Sequence, residues 1–142
     1  MGKILDEIRY DEGVALAHSD SRRTIYDPQQ ILEGLEGKWY AHNIIVLSQE
    51  GEELELGNHY HNYEEVFFTP TGGFDFGFVD QEDLETRTYH LESGSRIFIP
   101  RDVGHVVTGK PENILMGYGN VPFDPKRLIQ CSEKALEALA NI

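Results

Sequence analysis

Residues 56–68 read LGNHYHNYEEVFF. Two histidines stand one residue apart, and two glutamates precede an apolar run. On an extended chain, residues i and i+2 point to the same face. His59 and His61 therefore share a face, and Tyr60 takes the other. Asn62-Tyr63 suits a turn, and a tight hairpin there would return Glu65 to the histidine side. Two imidazoles and a carboxylate on one face form a ligand set for a first-row metal ion. Ligation needs neutral histidines and an ionised carboxylate, which near-neutral pH supplies. Glu64 falls on the opposite face and reads as solvated. A register slip of one residue would exchange it with Glu65.

The flanking sequence is a succession of short β-rich segments. They are NIIVLS (43–48), EELELGNHYH (52–61), EEVFFT (64–69), FDFGFVD (74–80), TRTYHL (86–91), RIFIP (96–100), GHVVTG (104–109) and NILMGYG (113–119). NIIVLS reads as a core strand, and Phe74, Phe76 and Phe78 share one face. Such segments, separated by turns such as PTGG and ESGS, predict an all-β sandwich or barrel. They lie too close together for crossover helices, so the sheets should be antiparallel.

Residues 1–40 read as a polar, irregular extension with helical stretches near Lys3–Arg9 and Pro28–Leu35. Asp27 is a natural N-cap for the second, with Pro28 at its first position. VPFDPK (121–126) is a proline-punctuated crossing. KRLIQCSEKALEALAN (126–141) predicts a terminal helix, with Leu128, Ile129, Leu136, Leu139 and Ala140 on one side.

The 142 residues suit one domain, 1–142, with its core at about 41–120. A hydrophobic fraction of 39% supports a packed core. No apolar run approaches the roughly 18 residues of a membrane span, and the charged start MGKILDEIRYDEG has no signal-peptide character. A cytoplasmic protein that does not engage membranes is expected. The net charge of −13 repels nucleic acid and anionic lipid. An anionic ligand would need a local patch drawn from Arg22, Arg23, Arg96 and Arg101. The single cysteine, Cys131, excludes an internal disulfide and reads as a packed helix residue.

Three ligands leave the metal set short, and His105, after the turn PRDVG, is the best fourth. The blocks Gly57-x-His59-x-His61-x-x-x-Glu65, with Gly72 beyond, and Gly94-(five residues)-Pro100-(four residues)-His105 resemble the two motifs of the cupin superfamily. The first departs in its leading glycine, which stands closer to His59 than is usual. In the second, Asp102 occupies the usual glycine position, and Gly109 stands where the family often has asparagine. GNHYH and the later FDP are similar to cupins that act on nucleotide-linked sugars.

The resemblance implies an RmlC-like jelly roll, a double-stranded β-helix, with a C-terminal α-helix. It implies one divalent metal at the mouth, bound by His59, His61, Glu65 and His105. Zinc, manganese, iron, nickel and copper all occur in the family, and these ligands do not choose among them. The ligand would be a small molecule, and a homodimer is expected because open jelly-roll edges are commonly paired.

Two functional classes follow: a metalloenzyme, isomerase- or epimerase-like or a dioxygenase, and a metal-dependent binding module without turnover. The pocket candidates are Tyr63, Phe67, Phe76, His90 and Arg96. As a turn residue, Tyr63 reads as a surface ring rather than a catalytic acid, and His90 and Arg96 have surface or salt-bridge readings. No catalytic residue is assigned. His42, His90 and Tyr118 are the groups that could transfer a proton.

Overall fold

A computed structural model describes residues 4–47, 54–124, 126 and 129–142, without the side chains of 54–58. The strands expected between 41 and 120 form β4 (Tyr40–Val46), β5 (Leu54–Tyr60), β6 (Glu65–Thr69), β7 (Phe74–Asp80), β8 (Thr86–Leu91), β9 (Ser95–Ile99), β10 (Val103–Gly109) and β11 (Ile114–Gly119). Residues 48 and 52–53 of the expected segments lie outside the described residues.

The extension before them is more ordered than its polarity suggests. It supplies β1 (Arg9–Asp11), β2 (Leu16–Ser19) and β3 (Thr24–Tyr26). A short β12 (Ile129–Gln130) precedes the helix α1 (Glu133–Ala140).

Two five-stranded sheets face one another, in the orders β1-β9-β6-β11-β4 and β12-β5-β10-β7-β8, and β2-β3 is a separate hairpin. Every described pair is antiparallel, as the short spacing required. The fold is a jelly roll. Its core lies between the sheets, where Phe67, Phe74, Phe76, Phe78, Leu91, Ile97, Ile99 and Leu115 pack together.

Both outer faces are clad. Ala15 and Ile31 of the extension cover Val66, Phe68, Phe98 and Tyr118 on the first sheet. Ala135 and Leu139 of α1 cover Val79 on the second. This explains why β6 is buried at every position: its inward residues meet the core and its outward ones meet the extension.

The two N-terminal helical stretches shrink to single 3-10 turns, Leu5–Glu7 and Pro28–Gln30. Asp27 does cap the second, accepting the Gln29 N–H, but left-handed Gly34 stops it from lengthening. The C-terminal helix begins seven residues later than expected. Ser132 caps it by accepting the Ala135 N–H, and Ile129–Gln130 pair with β5 instead. Leu128 lies outside the described residues. Cys131 is buried, but just before the helix rather than within it.

The strand expected at 43–48 is β4, which lies at the end of its sheet among the described strands and meets the core on its inner side through Ile45, with Leu47 just beyond it. Ile44 and Val46 are 67% and 63% exposed. Among the described residues no element covers their face, because the extension ends its cladding at β11.

Asp102, at the usual glycine position, has φ +67°, the left-handed conformation that glycine adopts without strain. Its N–H donates to the His61 carbonyl (2.7 Å), tying the start of β10 to the end of β5. Asp102→Gly is expected to change unfolding free energy by less than about 1 kcal/mol, because Asp tolerates this region. Asp102→Val should cost about 2 kcal/mol or more, since β-branching does not tolerate it. Urea denaturation of the two variants checks the pair.

Candidate metal centre

The hairpin expected at Asn62-Tyr63 does not form. β5 pairs with β10 and β12, whereas β6 pairs with β9 and β11, so residues 61–64 cross from one sheet to the other. Glu65 therefore approaches the histidines across the barrel interior.

His59 and His105 are cross-strand partners on β5 and β10, with a bulge directly after His105. Bulges re-aim side chains and are common beside functional sites. The His59 ring lies 4.7 Å from those of His61 and His105, which are 5.6 Å apart. One ligand atom from each of the three lies within 4.8 Å of the others. Glu65 Oε1 stands 3.0 Å from His61 Nε2 and 3.9 Å from His105 Nε2. The structure thus brings together all four residues singled out in the sequence.

His61, Glu65 and His105 are 5%, 6% and 2% exposed. Among the described residues, His61 Nδ1 and His105 Nδ1 are buried without a hydrogen-bond partner, and the buried Glu65 Oε1 has its close contact with His61 Nε2. Each such nitrogen costs about 1–3 kcal/mol when left unpaired. Lone pairs converging from imidazoles and a carboxylate are what a divalent first-row cation satisfies, so these residues fit such an ion.

The electrostatics agree. Burial pushes the Glu65 carboxyl up, but the contact with His61 and the fields of His105, His61 and His59 outweigh it and hold it below the usual range. Burial lowers His105 to about 4, against the opposing pull of Glu65, so its imidazole is neutral and ready to ligate near pH 7.

These shifts set an expected acid dependence for the metal-free protein. A buried His105 binds no proton above about pH 4, whereas its unfolded form does below about 6.5. Stability should therefore fall as pH drops from about 6.5 to 4. Glu65, with a lowered folded value, adds a further loss below its ordinary value of 4.5. Urea midpoints of metal-free protein across pH 4–7 check this, and His105→Gln should flatten the upper part of the curve.

The four residues floor a cavity of about 240 Å³ between the sheets. Its walls include His42, Asn43, Tyr63, Phe67 and Phe123. Tyr63 is 5% exposed, with its ring 4.6 Å from His61's, so it is a buried wall rather than a surface ring.

His42 Nε2 stands 2.7 Å from the Val121 carbonyl. A carbonyl only accepts, so Nε2 carries the proton, and Nδ1 is the acceptor of the neutral ring. Tyr63 and Phe123 pack edge-on against this ring.

The remaining candidates stand outside the cavity, His90 and Arg96 in the surface and salt-bridge settings that their sequence also allowed. Phe76 does not line the cavity: it lies behind Phe67 at 5.7 Å and stacks on Phe78, 1% exposed. His90 is on the exposed side of β8, 2.6 Å from Asp75, because Tyr89 takes the inward position. Arg96 points away from the cavity and pins the extension, bonding Asp11 and the carbonyls of Ile31 and Glu33. Tyr118 belongs to the outer cluster, where burial raises its pKa. Glu64 is not simply solvated, since Asn120 bonds both its backbone N–H and its carboxylate.

The sequence reading missed Asn43 and Phe123. β4 slips by one residue opposite Gly117/Tyr118, so His42 is the extra residue of a bulge. His42 and Asn43 consequently both reach the cavity, which plain alternation forbids.

The jelly roll is similar in fold to RmlC-like solved structures, and that likeness comes from comparison of structures. No protein-family model matches the sequence, and no curated protein matches it. WlaRA, a TDP-fucose-3,4-ketoisomerase from Campylobacter jejuni, superposes with a TM-score of 0.66 at 15% identity, over 96% of this chain and 98% of its own. A dTDP-4-dehydrorhamnose 3,5-epimerase from Bacillus anthracis gives 0.68 at 17%, over 86% and 77%. QdtA, a sugar 3,4-ketoisomerase from Thermoanaerobacterium thermosaccharolyticum, gives 0.66 at 13%, over 97% and 98%. Likeness at these identities concerns the fold. No described helix is long and apolar enough to cross a membrane.

Proposed function

We propose that the cavity is an isomerase- or epimerase-type site for a sugar- or keto-acid-type small molecule, with one divalent first-row ion on His59, His61, Glu65 and His105. The observation that carries this reading is the convergence of three imidazoles and a buried carboxylate, with unpaired buried atoms, on the floor of a small-molecule-sized cavity. The ketoisomerase and epimerase relatives of the same fold support the sugar class.

Such an ion, when bound, acts as a Lewis acid on a carbonyl or hydroxyl oxygen. The chain's own residues supply the rest. His42, with its tautomer set by Val121, offers Nδ1 as acceptor for a substrate proton and can return it to a neighbouring atom. Phe67 and Phe123 wall the cavity with apolar surface and limit water around the reacting atoms.

Elemental analysis and a proton-exchange assay test the proposal together. Purified protein should carry about one divalent ion per chain. The metal-loaded protein in deuterium oxide should place deuterium in TDP-4-keto-6-deoxyglucose, the ligand bound to a QdtA variant, or in a small keto acid. Binding without exchange would make the protein a binding module, and oxygen uptake by the iron-loaded form would make it a dioxygenase.

Gly119 gives an indirect handle on His42. A Cβ at Gly119 would overlap the His42 ring. Gly119→Ala should therefore displace the imidazole from Val121, lowering exchange at least tenfold while leaving metal content unchanged. His42→Gln should match it. Full exchange in both would remove His42 from the chemistry.

A further inference from the structure

The crossing at 61–64 has His61 at one end and leads straight into Glu65 at the other. Asn120, just past β11, grips this crossing at Glu64. Its Nδ2 donates to Glu64 Oε1 (3.0 Å), its Oδ1 accepts the Glu64 N–H (3.0 Å), and its own N–H donates to the Glu64 carbonyl (3.1 Å). Three bonds to one residue, two of them to its backbone, fix Glu64 in place and orientation against the end of β11.

The residues on either side of Asn120 meet His42. Gly119 pairs with Glu65 on β6 and with Tyr40 on β4, and it has the His42 ring where a Cβ would stand. Val121 offers the carbonyl that holds His42 Nε2 at 2.7 Å. Three consecutive residues thus touch the strand of the carboxylate ligand on one side and the His42 ring on the other. His42 is the extra residue of the β4 bulge, a position that a ladder leaves without a cross-strand partner. Its ring is therefore held by what lies beyond the ladder.

We propose that Asn120 is a positioning residue. By clasping Glu64 it holds the Val121 carbonyl, and through it the His42 ring, at a fixed place in the cavity of the metal centre. This role rests on the reading of that cavity as an isomerase- or epimerase-type site. An amide is the side chain the clasp needs. One of its atoms must donate to a carboxylate and the other must accept an N–H, whereas a carboxylate in its place could only accept. The consequence for the chemistry is distance. A proton acceptor misplaced by about 1 Å can cost on the order of 100-fold in rate.

Side-chain NMR and the deuterium assay, both on the full chain, test the proposal. In the wild type the bond to Val121 should shield the His42 Nε2–H from exchange with water. Asn120→Ala removes two of the three bonds to Glu64 and keeps the backbone one, so metal content and circular dichroism should be unchanged. Its His42 Nε2–H should nevertheless exchange at least about tenfold faster, through the loosened Val121 carbonyl. Deuterium transfer to the substrate should fall at least about tenfold in kcat, with KM changed less than about threefold. In a His42→Gln background, Asn120→Ala should add less than about a further threefold, because both act through one ring. Asn120→Asp sets two carboxylates against each other and should be as poor as Asn120→Ala. Adding Glu64→Gln returns a donor to the pair and should restore the transfer. An unaltered His42 Nε2–H in Asn120→Ala, or losses that multiply with His42→Gln, would overturn the proposal. So would a failure of Glu64→Gln to rescue Asn120→Asp. A wild type that carries metal but moves no deuterium would sink the isomerase reading alone, and the NMR comparison would still decide whether Asn120 sets the place of His42.

Discussion

His61→Ala is expected to empty the metal centre, taking bound metal from about one ion per chain to less than about a tenth. The variant removes one of four convergent ligands and leaves His59, His105 and Glu65. Loss of an outer hydrogen bond to a ligand already costs about 10–100-fold in affinity, and loss of the ligand itself should cost more. Melting separates this from a folding defect. Saturating metal at about 100 times its dissociation constant should stabilise the wild type by about 2.7 kcal/mol, and the variant should gain nothing.

The metal-free variant will itself be weaker. The His61 ring packs against Tyr63, and its removal strands the Glu65 carboxylate without its nearest partner. His61→Gln, which keeps more of the volume, should recover part of that stability without recovering the metal. A wild-type level of metal in His61→Ala would mean that the four residues are not the ligand set.

Much of this centre was legible because it depends on local rules. The i, i+2 spacing places His59 and His61 together whatever the strand pairs with. The path of Glu65 was not legible. A turn at Asn62-Tyr63 looks the same in sequence whether the next strand pairs back or crosses to the other sheet. The cupin-like spacing in the sequence anticipated the meeting of Glu65 and His61, although the hairpin reasoning behind it was wrong.

The extension shows another limit. Leu5, Ile8 and Ile31 are isolated in a polar segment with no periodicity, yet each is buried by surfaces that exist only once the sheets have formed. The bulge that brings His42 and Asn43 to the same cavity depends on β11, more than seventy residues away. Asp102 was the informative departure: where the resembled motif has glycine, this residue has φ +67°, a left-handed conformation that glycine adopts without strain.

Phe76→Ala is expected to lower unfolding free energy by about 3–5 kcal/mol, a large part of the roughly 5–15 kcal/mol that a domain of this kind has. Phe76 is 1% exposed and sits between Phe67 and Phe78 in the inter-sheet core. Truncation leaves a hole that strands held by ladders on both sides cannot close. β7 is fixed by β8 and β10, so its backbone cannot shift inward without breaking two registers.

Phe67→Ala makes the informative comparison, because Phe67 borders both that core and the cavity. Its removal enlarges space that already exists, so the stability loss should be smaller and the loss of ligand affinity larger. Phe76→Ala should bind metal normally in whatever fraction remains folded. Urea denaturation with an unchanged m-value, read beside metal content, separates the two roles. A Phe76→Ala protein of near wild-type stability but impaired ligand binding would return Phe76 to the cavity wall, where the sequence alone had placed it.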